Sequence, residues 1–232
     1  MNDGASRFPS GVAAPLREVH CADAIPWMRT RGLISGACAV TSLPDVSEMN
    51  LSLPSWRGWF LEAAGLVINS VSSESAALFF QSDIKRAGVW IDKGALVIRA
   101  AEDAGASVLF HKIVCRRPPG MPTMGRPGYT HLIAVSRAMK CPDVLPIPDI
   151  IVDAGPQPWV RAMGVRAAAH AVRFARDQVG AKVIFDPFCG VGTVLAVANV
   201  LGLDAVGVEK AGKRSEQSRQ LVISGRDLAG SG

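Results

Sequence analysis

Two carboxylates and two turn glycines near the C-terminal end of the chain are the residues best suited to binding a small molecule. A buried apolar strand ends at Asp186, a turn with Gly190 and Gly192 follows, and a helix is predicted to begin at Thr193. The next apolar run ends at Glu209. A carboxylate at the end of the second strand of a βαβ unit can hold a ribose diol, and glycines let the backbone approach a ligand where a Cβ would clash. This pattern predicts a site for a nucleoside-containing cofactor.

The spacing of the glycines distinguishes between kinds of nucleotide site. A dinucleotide fingerprint needs a third glycine where this chain has Leu195, and a phosphate-binding loop needs a Gly-Lys-Ser/Thr sequence that is absent. The sequence that remains, Asp-Pro-Phe-Cys-Gly-Val-Gly-Thr followed by Glu209, resembles the S-adenosylmethionine site of class I methyltransferases, above all that of the amino-methyltransferases of DNA and RNA. The resemblance implies S-adenosyl-L-methionine as the cofactor. The residues that it implies for binding are Asp186, Phe188, Gly190, Gly192, Thr193 and Glu209.

A second polar segment, Ser42-Leu43-Pro44-Asp45, ends an earlier strand of small residues. Open α/β sheets bind ligands at the carboxyl ends of their strands, so this segment is a candidate catalytic motif. The related family has Ser/Asp/Asn-Pro-Pro-Tyr/Phe here: the first residue and a backbone carbonyl accept hydrogens of the target amine, and the aromatic ring stacks on the base. Ser42 keeps the acceptor and Pro44 keeps part of the turn, whereas an acid replaces the aromatic residue.

That replacement leaves two points open. Asp45 either acts as a general base or orients the acceptor, or it caps a turn, and Glu48 is a further acid within reach. The methylated atom is either a ring nitrogen or an exocyclic amine. Stacking on the target base would then come from another aromatic residue, and the candidates are Trp56, Trp59 and Tyr129, although tryptophans at helical spacing are usually part of a core.

The resemblance implies an α/β, Rossmann-like, single-domain class I methyltransferase fold, and the order of the motifs is similar to that of its circularly permuted members. Seven strands are expected to begin near residues 18, 37, 76, 107, 129, 183 and 205, and the resemblance implies a mostly parallel sheet with one antiparallel strand. The resemblance to permuted amino-methyltransferases implies that Asp23 contacts the adenine amine of the cofactor, and it adds Thr41 to the cofactor site. The expected organisation is a loose tail over 1–15, a domain over 16–225 and a second tail over 226–232. Within the domain we expect a catalytic half (16–140), a linker (141–158) and a cofactor-loop half (159–225).

Helix boundaries follow from caps and from apolar spacing. A serine, Ser55, is predicted to cap a helix that reaches about Ser70. The other predicted helices cover residues 24–31, 92–104, 159–178, 193–201 and 213–224.

Composition narrows the class of protein. Of the 232 residues 49% are hydrophobic and 19% charged, which is enough to bury a full core, and the net charge of +5 suits a polyanionic partner. The five cysteines show no C-x-x-C spacing, so no metal site and no disulfide framework is predicted, and Cys189 is expected to be a small packing residue.

His111 and His131, on two antiparallel strands, are in a position to face each other. With no long apolar run and no signal-peptide pattern, we expect a cytoplasmic protein without a membrane partner.

Basic residues predict where a polynucleotide binds. Four of them, Lys112, Arg116, Arg117 and Arg126, lie in one stretch rich in proline and glycine, and Lys85 and Arg86 follow another strand. Basic groups at the catalytic edge would neutralise phosphates, although such runs are often only a solvated surface.

The size of the chain bears on the kind of nucleic acid. A compact chain without a target-recognition insert favours an unpaired base in RNA, tRNA or rRNA, over duplex DNA. The alternatives are a DNA adenine or cytosine amino-methyltransferase, a small-molecule or protein methyltransferase, and a non-catalytic cofactor-binding subunit. A homodimer or a partner subunit is a further possibility.

Overall fold

The main sheet of the protein contains eight strands in the part of the chain that the computed structural model describes, residues 14–122, 125–159 and 162–229. Their order across the sheet is β1-β10-β9-β2-β3-β7-β6-β8, and a separate hairpin pairs β4 with β5. The strands are β1 Arg17–His20, β2 Ala37–Thr41, β3 Ala77–Gln81, β4 Ile84–Arg86, β5 Val89–Ile91, β6 Ser107–Cys115, β7 Tyr129–Ser136, β8 Ile150–Ile151, β9 Val183–Asp186 and β10 Asp204–Val208.

The predicted sheet is confirmed in class and corrected in number. Of the eight strands, β7 alone runs antiparallel to its neighbours β3 and β6, as expected. The prediction of seven strands was wrong because β8 lies in the proline-rich segment interpreted as a linker. Ile150 and Ile151 pair with Ile113 and Val114 of β6, and Ile151 is buried. Two residues between prolines are too short a run to stand out in the sequence, and tertiary contact with the sheet edge supplies the strand.

Helices cover both faces of the sheet. Strands β2 and β3 are buried throughout, as expected for central parallel strands. On one face they pack against α4 and α5, and on the other against α1, α2 and α3. The helices are α1 Ala24–Arg31, α2 Leu53–Asn69, α3 Lys93–Asp103, α4 Val165–Asp177, α5 Thr193–Val200 and α6 Gly212–Gln220.

Three predicted helix limits were wrong. Helix α2 is capped by Ser52 instead of Ser55, because the Ser52 hydroxyl accepts the Ser55 N–H at 3.3 Å. Helix α4 begins at Val165 instead of residue 159. Its N-cap Gly164 has φ +96° and lies so close to Ala154 that a Cβ would be 2.3 Å from the carbonyl oxygen, so the preceding segment turns away. Helix α6 ends at Gln220 instead of residue 224, because Leu221 is extended.

The ends of the chain lie partly outside the described residues. The tail predicted over 1–15 is described only from residue 14, and the tail predicted over 226–232 only to residue 229. Residues Gly225–Leu228 form a 3-10 turn, and Leu228 is buried in the core. No helix in the described part of the chain is long and apolar enough to cross a bilayer.

The strand register determines which residues meet at the carboxyl edge. Asp186 of β9 pairs with Gly207 of β10, and Val208 of β10 pairs with His20 of β1. On the other side of β9, Phe185 pairs with Ala39 of β2. The turns after β1, β2, β9 and β10 therefore share one edge of the sheet, although they are far apart in the sequence.

Candidate cofactor and substrate site

A cavity of about 380 Å³ opens at this carboxyl edge, between the turns that follow β1, β2, β9 and β10. Most of the residues predicted from the sequence line it. They are Asp23, Ser42, Pro44, Asp186, Phe188, Gly190, Thr193 and Glu209. The remaining two cofactor candidates do not line the cavity: Thr41 donates to Asp186, and Gly192 packs against Ser218.

Asp186 is the buried centre of the site. Its Oδ1 accepts the Thr41 hydroxyl at 2.6 Å and the Phe188 N–H at 3.1 Å, and the residue is 2% exposed. Burial raises the pKa of this carboxyl to about 7, and the nearby Glu209 adds to the rise, whereas the bonds from Thr41 and Phe188 lower the pKa. Thr41 thus acts through Asp186, by orienting its carboxyl group.

The raised pKa of Asp186 predicts a specific dependence of stability on pH. Between an ordinary pKa of about 4 and the folded pKa of about 7, the folded protein holds one more proton than the unfolded chain. This contribution is therefore fully present at low pH and lost as the pH rises through 7. The isosteric Asp186→Asn does not titrate, and its amide oxygen can still accept both hydrogen bonds. From about pH 5 to about pH 8, the unfolding free energy of the variant relative to the wild type should rise by roughly 2–3 kcal/mol.

Urea denaturation of both proteins at the two pH values measures this difference. Thr41→Val removes a hydrogen bond that lowers the pKa of Asp186. This variant serves as a comparison because its Asp186 carboxyl group still titrates. A difference between wild type and Asp186→Asn that stays constant with pH would mean that Asp186 ionises at its ordinary pKa.

The turn after β9 is shaped by its two glycines. Gly190 has φ +55° and lines the cavity, whereas Gly192 has φ +86° and packs against Ser218 of α6. Between them, Cys189 is buried and donates or accepts a weak bond with the Ser218 hydroxyl at 3.5 Å. Burial, with a smaller contribution from Asp186, raises the pKa of the Cys189 thiol to about 12. A thiol of this kind is a packing residue and a poor nucleophile.

Glu209 is held in a fixed orientation at the end of β10. Its Oε1 accepts the Ala211 N–H at 2.8 Å and an Arg214 N–H at 3.0 Å. Arg214 in turn lies over the Trp159 ring, 6.0 Å from its centroid. Asp23 caps α1 by accepting the Ile25 N–H at 3.0 Å. Two acidic side chains, which follow the neighbouring strands β1 and β10, thus line the same cavity.

The lining residues that the sequence did not indicate include Arg214, which holds Glu209, and two residues before α4, Trp159 and Met163. These last two lie in the segment interpreted as the start of a helix. The signal that could have identified them is the pair Gly164 and Pro158 around this segment, since glycine and proline both indicate that a helix does not run through.

The catalytic motif separates into two directions. Ser42 lines the cavity, and the carbonyl oxygen of Pro44 accepts the Trp56 indole N–H at 3.2 Å. The Asp45 carboxylate instead accepts the Ser47 N–H at 2.9 Å while Glu48 accepts the Asp45 N–H at 3.1 Å, which forms a capping box. Of the two roles considered for Asp45, the structure shows the cap.

Among the candidate stacking residues the structure favours one. Trp56 is fully buried. The Tyr129 hydroxyl donates to Asp83 at 3.2 Å, and neither of these two residues lines the cavity. Trp59 lines the cavity and meets Phe188 edge to face, with the ring centroids 5.7 Å apart. Trp59 is therefore placed to contact a ring bound beside Ser42.

Comparison with known proteins was made at the levels of sequence and structure. No protein-family model and no curated protein sequence matches the chain. Among solved structures, the cytosine-N4-specific PvuII DNA methyltransferase superposes with a TM-score of 0.69 at 12% identity, over 94% of this chain and 90% of that one. TTHA0409 of Thermus thermophilus, provisionally assigned as a DNA modification methylase and complexed with S-adenosyl-L-methionine, superposes with a TM-score of 0.68 at 17% identity, over 88% of this chain and 92% of that one. M1.HpyAVI, also in complex with S-adenosylmethionine, superposes with a TM-score of 0.58 at 15% identity, over 88% of this chain and 99% of that one.

The chain has the class I methyltransferase fold. Within this methyltransferase fold the cavity at residues 186–193 and 209 lies at the carboxyl edge of the central strands, where open α/β sheets bind their ligands.

The four basic residues predicted to bind substrate differ in their surroundings. Lys112 is buried, and its ammonium donates to the exposed Asp149, so a carboxylate already pairs with the charge that was predicted to contact a phosphate. Arg116 and Arg117 are exposed on the loop between β6 and β7. Arg126 is exposed as well and reaches Asp45, with 3.9 Å between Nη2 and Oδ2.

The two histidines on β6 and β7 face each other, as predicted. His111 Nε2 and His131 Nδ1 are 2.8 Å apart, and His131 Nε2 lies 3.0 Å from the Asp83 carboxylate. Asp83, Asp92 and His131 place ligand atoms within 4.8 Å of one another, a spacing that a metal ion could bridge. Asp83 and Asp92 also accept backbone N–H groups around the start of α3, so all three residues have hydrogen bonds within the protein.

Proposed function

We propose that the protein is an S-adenosyl-L-methionine-dependent methyltransferase that acts on a base nitrogen of a nucleic acid. The observation that carries the proposal is the convergence, around one cavity, of the Asp186 turn, the Glu209 carboxylate and Ser42 from a separate strand. A cofactor site and an acceptor site that share a cavity are what group transfer requires, because reaction depends on holding donor and acceptor in line.

Each cofactor residue has a role that its geometry supports. The Glu209 carboxylate, held by Ala211 and Arg214, accepts the hydroxyls of the ribose. Asp23 accepts from the adenine amine at the next strand end. Gly190 lets the methionine part of the cofactor approach the backbone, since no protein atom lies within 4 Å of where its Cβ would be. When bound, the cofactor supplies a methyl group activated by its sulfonium.

Ser42 is the acceptor-side residue. Its hydroxyl lies in the cavity wall next to Leu43 and Pro44, where it can accept a hydrogen from the target nitrogen and orient the lone pair toward the methyl group. Trp59 supplies an aromatic surface in place of the missing aromatic residue of the motif. A ring nitrogen and an exocyclic amine remain the two candidate acceptors.

The strand order supports the proposal of a circular permutation. The strand that carries the glycine turn, β9, lies between β10 and β2 in the sheet but comes late in the chain. Rotating the chain so that β9 comes first would put the glycine turn before the catalytic strand, as in the usual class I order. The proposed catalytic half (16–140) and cofactor-loop half (159–225) then meet where β2 pairs with β9.

Two kinds of nucleic acid remain candidates. An unpaired base in RNA, the expectation drawn from the sequence, is the first candidate. DNA is favoured instead by the structural neighbours, which are DNA methylases by name, and the RNA preference draws no support from them. Action in the cytoplasm and assembly as a homodimer or with a partner subunit remain predictions.

The proposal is tested in two steps. Calorimetric titration with S-adenosylmethionine should show a single site, and the absence of binding would reject both the enzyme and the cofactor-binding subunit. Labelled cofactor is then incubated with total RNA, DNA or protein, followed by mass spectrometry of the nucleosides. Label in a methylated base supports the proposal and separates RNA from DNA. Label in protein or in a small molecule, or binding without any transfer, would replace it by one of the alternatives.

Ser42 and Asp45 should respond differently to substitution. Ser42→Ala is expected to lower the rate of methyl transfer about 10- to 100-fold with little change in cofactor affinity, because it removes an acceptor that orients the target. Asp45→Asn, whose amide oxygen can still cap, should lower the rate by less than about threefold. Single-turnover transfer assays with saturating cofactor measure both rates. A larger loss in Asp45→Asn than in Ser42→Ala would return the catalytic role to the acid.

A further inference from the structure

The β4–β5 hairpin carries a basic and aromatic surface that the proposed cofactor cavity does not use. Its base is anchored by Ile84 and Ile91, which pair with each other and are buried. Its tip turns through Ala87 and Gly88, with φ values of +48° and +81°, the positive values that a tight two-residue hairpin turn requires. The anchored base and tight tip hold the outer residues of the hairpin in a defined position.

The outward side chains of this hairpin are unusual for a surface. Trp90 is 48% exposed and Val89 is 59% exposed. Lys85 is the cross-strand partner of Trp90, and Arg86 is the partner of Val89. Directly paired residues share a face of a hairpin, so an exposed indole and an ammonium group stand side by side.

A cleft of about 310 Å³ runs between the hairpin and the loop that contains Arg126. Lys85, Arg86 and Arg126 line it together with a single carboxylate, that of Asp45, so positive charge exceeds negative charge. A cleft of this kind attracts a polyanion.

One short segment separates the cleft from the proposed active site. Residues 42–44 and Glu48 line the cofactor cavity, while residues 45–47 line the basic cleft. The capping box between Asp45 and Glu48 holds this segment in a rigid turn. A chain bound in the cleft would therefore pass directly beside the acceptor residue Ser42.

We propose that the hairpin and Arg126 bind the single strand next to the target base, with Trp90 stacking on a neighbouring base and Lys85, Arg86 and Arg126 contacting phosphates. The proposal rests on the proposed function and names the substrate-binding surface for it. A single strand is preferred to a duplex because an exposed indole can stack only on a base whose face is free, and such stacking tolerates any sequence.

The test uses the full chain and fluorescein-labelled single-stranded RNA and DNA oligonucleotides, with a hairpin duplex for comparison. Affinity is measured by anisotropy over a range of salt concentrations. Affinity falls as salt rises, and each phosphate that a protein neutralises on a single strand adds about 0.7 to the steepness of log affinity against log salt. The loss of three phosphate contacts in Lys85→Ala/Arg86→Ala/Arg126→Ala should therefore make this dependence shallower by about 2. For Trp90→Ala the affinity should fall roughly tenfold without a change of slope, and Trp90→Phe should restore most of it.

Matched controls come from the opposite edge of the sheet. Lys140 follows β7 and Lys182 precedes β9, and both are exposed. Lys140→Ala/Lys182→Ala should leave the slope within about 0.3 of the wild type. A loss of slope per removed charge in this control equal to that in the hairpin variant would show that only net charge matters, which would overturn the proposal.

The remaining outcomes separate this proposal from the proposed function. Unchanged affinity and slope in the hairpin variants, in a protein that still methylates nucleic acid, would overturn the hairpin assignment and leave the function standing. Tighter binding of the duplex than of the single strand would also overturn it. If the wild type binds cofactor but no oligonucleotide, the nucleic-acid function itself fails. Cofactor affinity, measured in parallel by calorimetry, should be the same in all variants.

Discussion

Replacement of Glu209 by glutamine is expected to weaken the binding of S-adenosylmethionine about 100-fold while the protein stays folded. Among the described residues, the hydrogen bonds to this carboxylate go to Oε1, from Ala211 and Arg214, and the group is only 8% exposed. A ribose diol bonded to a carboxylate gains charge-assisted hydrogen bonds, each about 1.5–3 kcal/mol, and an amide provides weaker ones. Weakening about two such hydrogen bonds by roughly 1.4 kcal/mol each corresponds to the expected 100-fold loss of cofactor affinity.

The same replacement preserves the local structure, because the amide oxygen of glutamine can still accept from Ala211. Calorimetric titration gives the affinity, and thermal unfolding without cofactor reports the fold. Glu216→Gln on α6 removes the same charge from an exposed position and should bind cofactor normally. Cofactor affinity in Glu209→Gln within about threefold of the wild type would contradict the assignment of Glu209 to the ribose.

Alanine substitutions at the two turn glycines are expected to fail in different ways. At Gly192 a Cβ would lie 2.5 Å from the Ser218 hydroxyl and 2.9 Å from the Ser218 backbone, and φ is +86°. Ser218 is fully buried, so α6 has to shift. The clash and the left-handed backbone together should cost roughly 3 kcal/mol of stability in Gly192→Ala.

Gly190→Ala should remain folded, at a cost of about 1–2 kcal/mol from its φ of +55°, because no heavy atom lies within 4 Å of the added Cβ. The methyl group enters the space beside the cofactor cavity instead, and the affinity for S-adenosylmethionine should fall about tenfold or more. Urea denaturation and calorimetry on both variants measure the two effects. A stable Gly192→Ala, or a Gly190→Ala that binds cofactor as the wild type does, would contradict this division.

The structure also separates the two polar ends of the Ser-Leu-Pro-Asp motif. Ser42 faces the cavity of the proposed cofactor, and Asp45 caps the turn and borders the basic cleft beyond it. The acid that stands where the related family has an aromatic residue therefore shapes the wall between two sites. This division explains how a departure from the motif is compatible with an intact acceptor residue.

Local sequence determined the elements of the proposed cofactor site. Asp186, both turn glycines and Glu209 were predicted from the chain alone, because a strand, its turn and the next strand are contiguous and their chemistry depends on short spacings. The α/β class followed from the lengths and spacing of the apolar runs, and the single antiparallel strand followed from the resemblance of the motifs to class I methyltransferases. Helix α1 was predicted with its limits, since Asp23 is a local cap.

Tertiary structure decided what depends on distant neighbours. The burial of Lys112 against Asp149, the packing of Gly164 on Ala154 and the pairing of β8 with β6 all join residues that no local pattern relates. The surroundings of each side chain were decided in the same way: Asp45 caps a turn with Ser47 and Glu48 and borders the basic cleft, whereas Ser42 lines the cavity. The spacing of residues in the sequence determines which chemical groups the site can contain. Their orientation and charge state depend on burial and on partners that come together only when the chain folds.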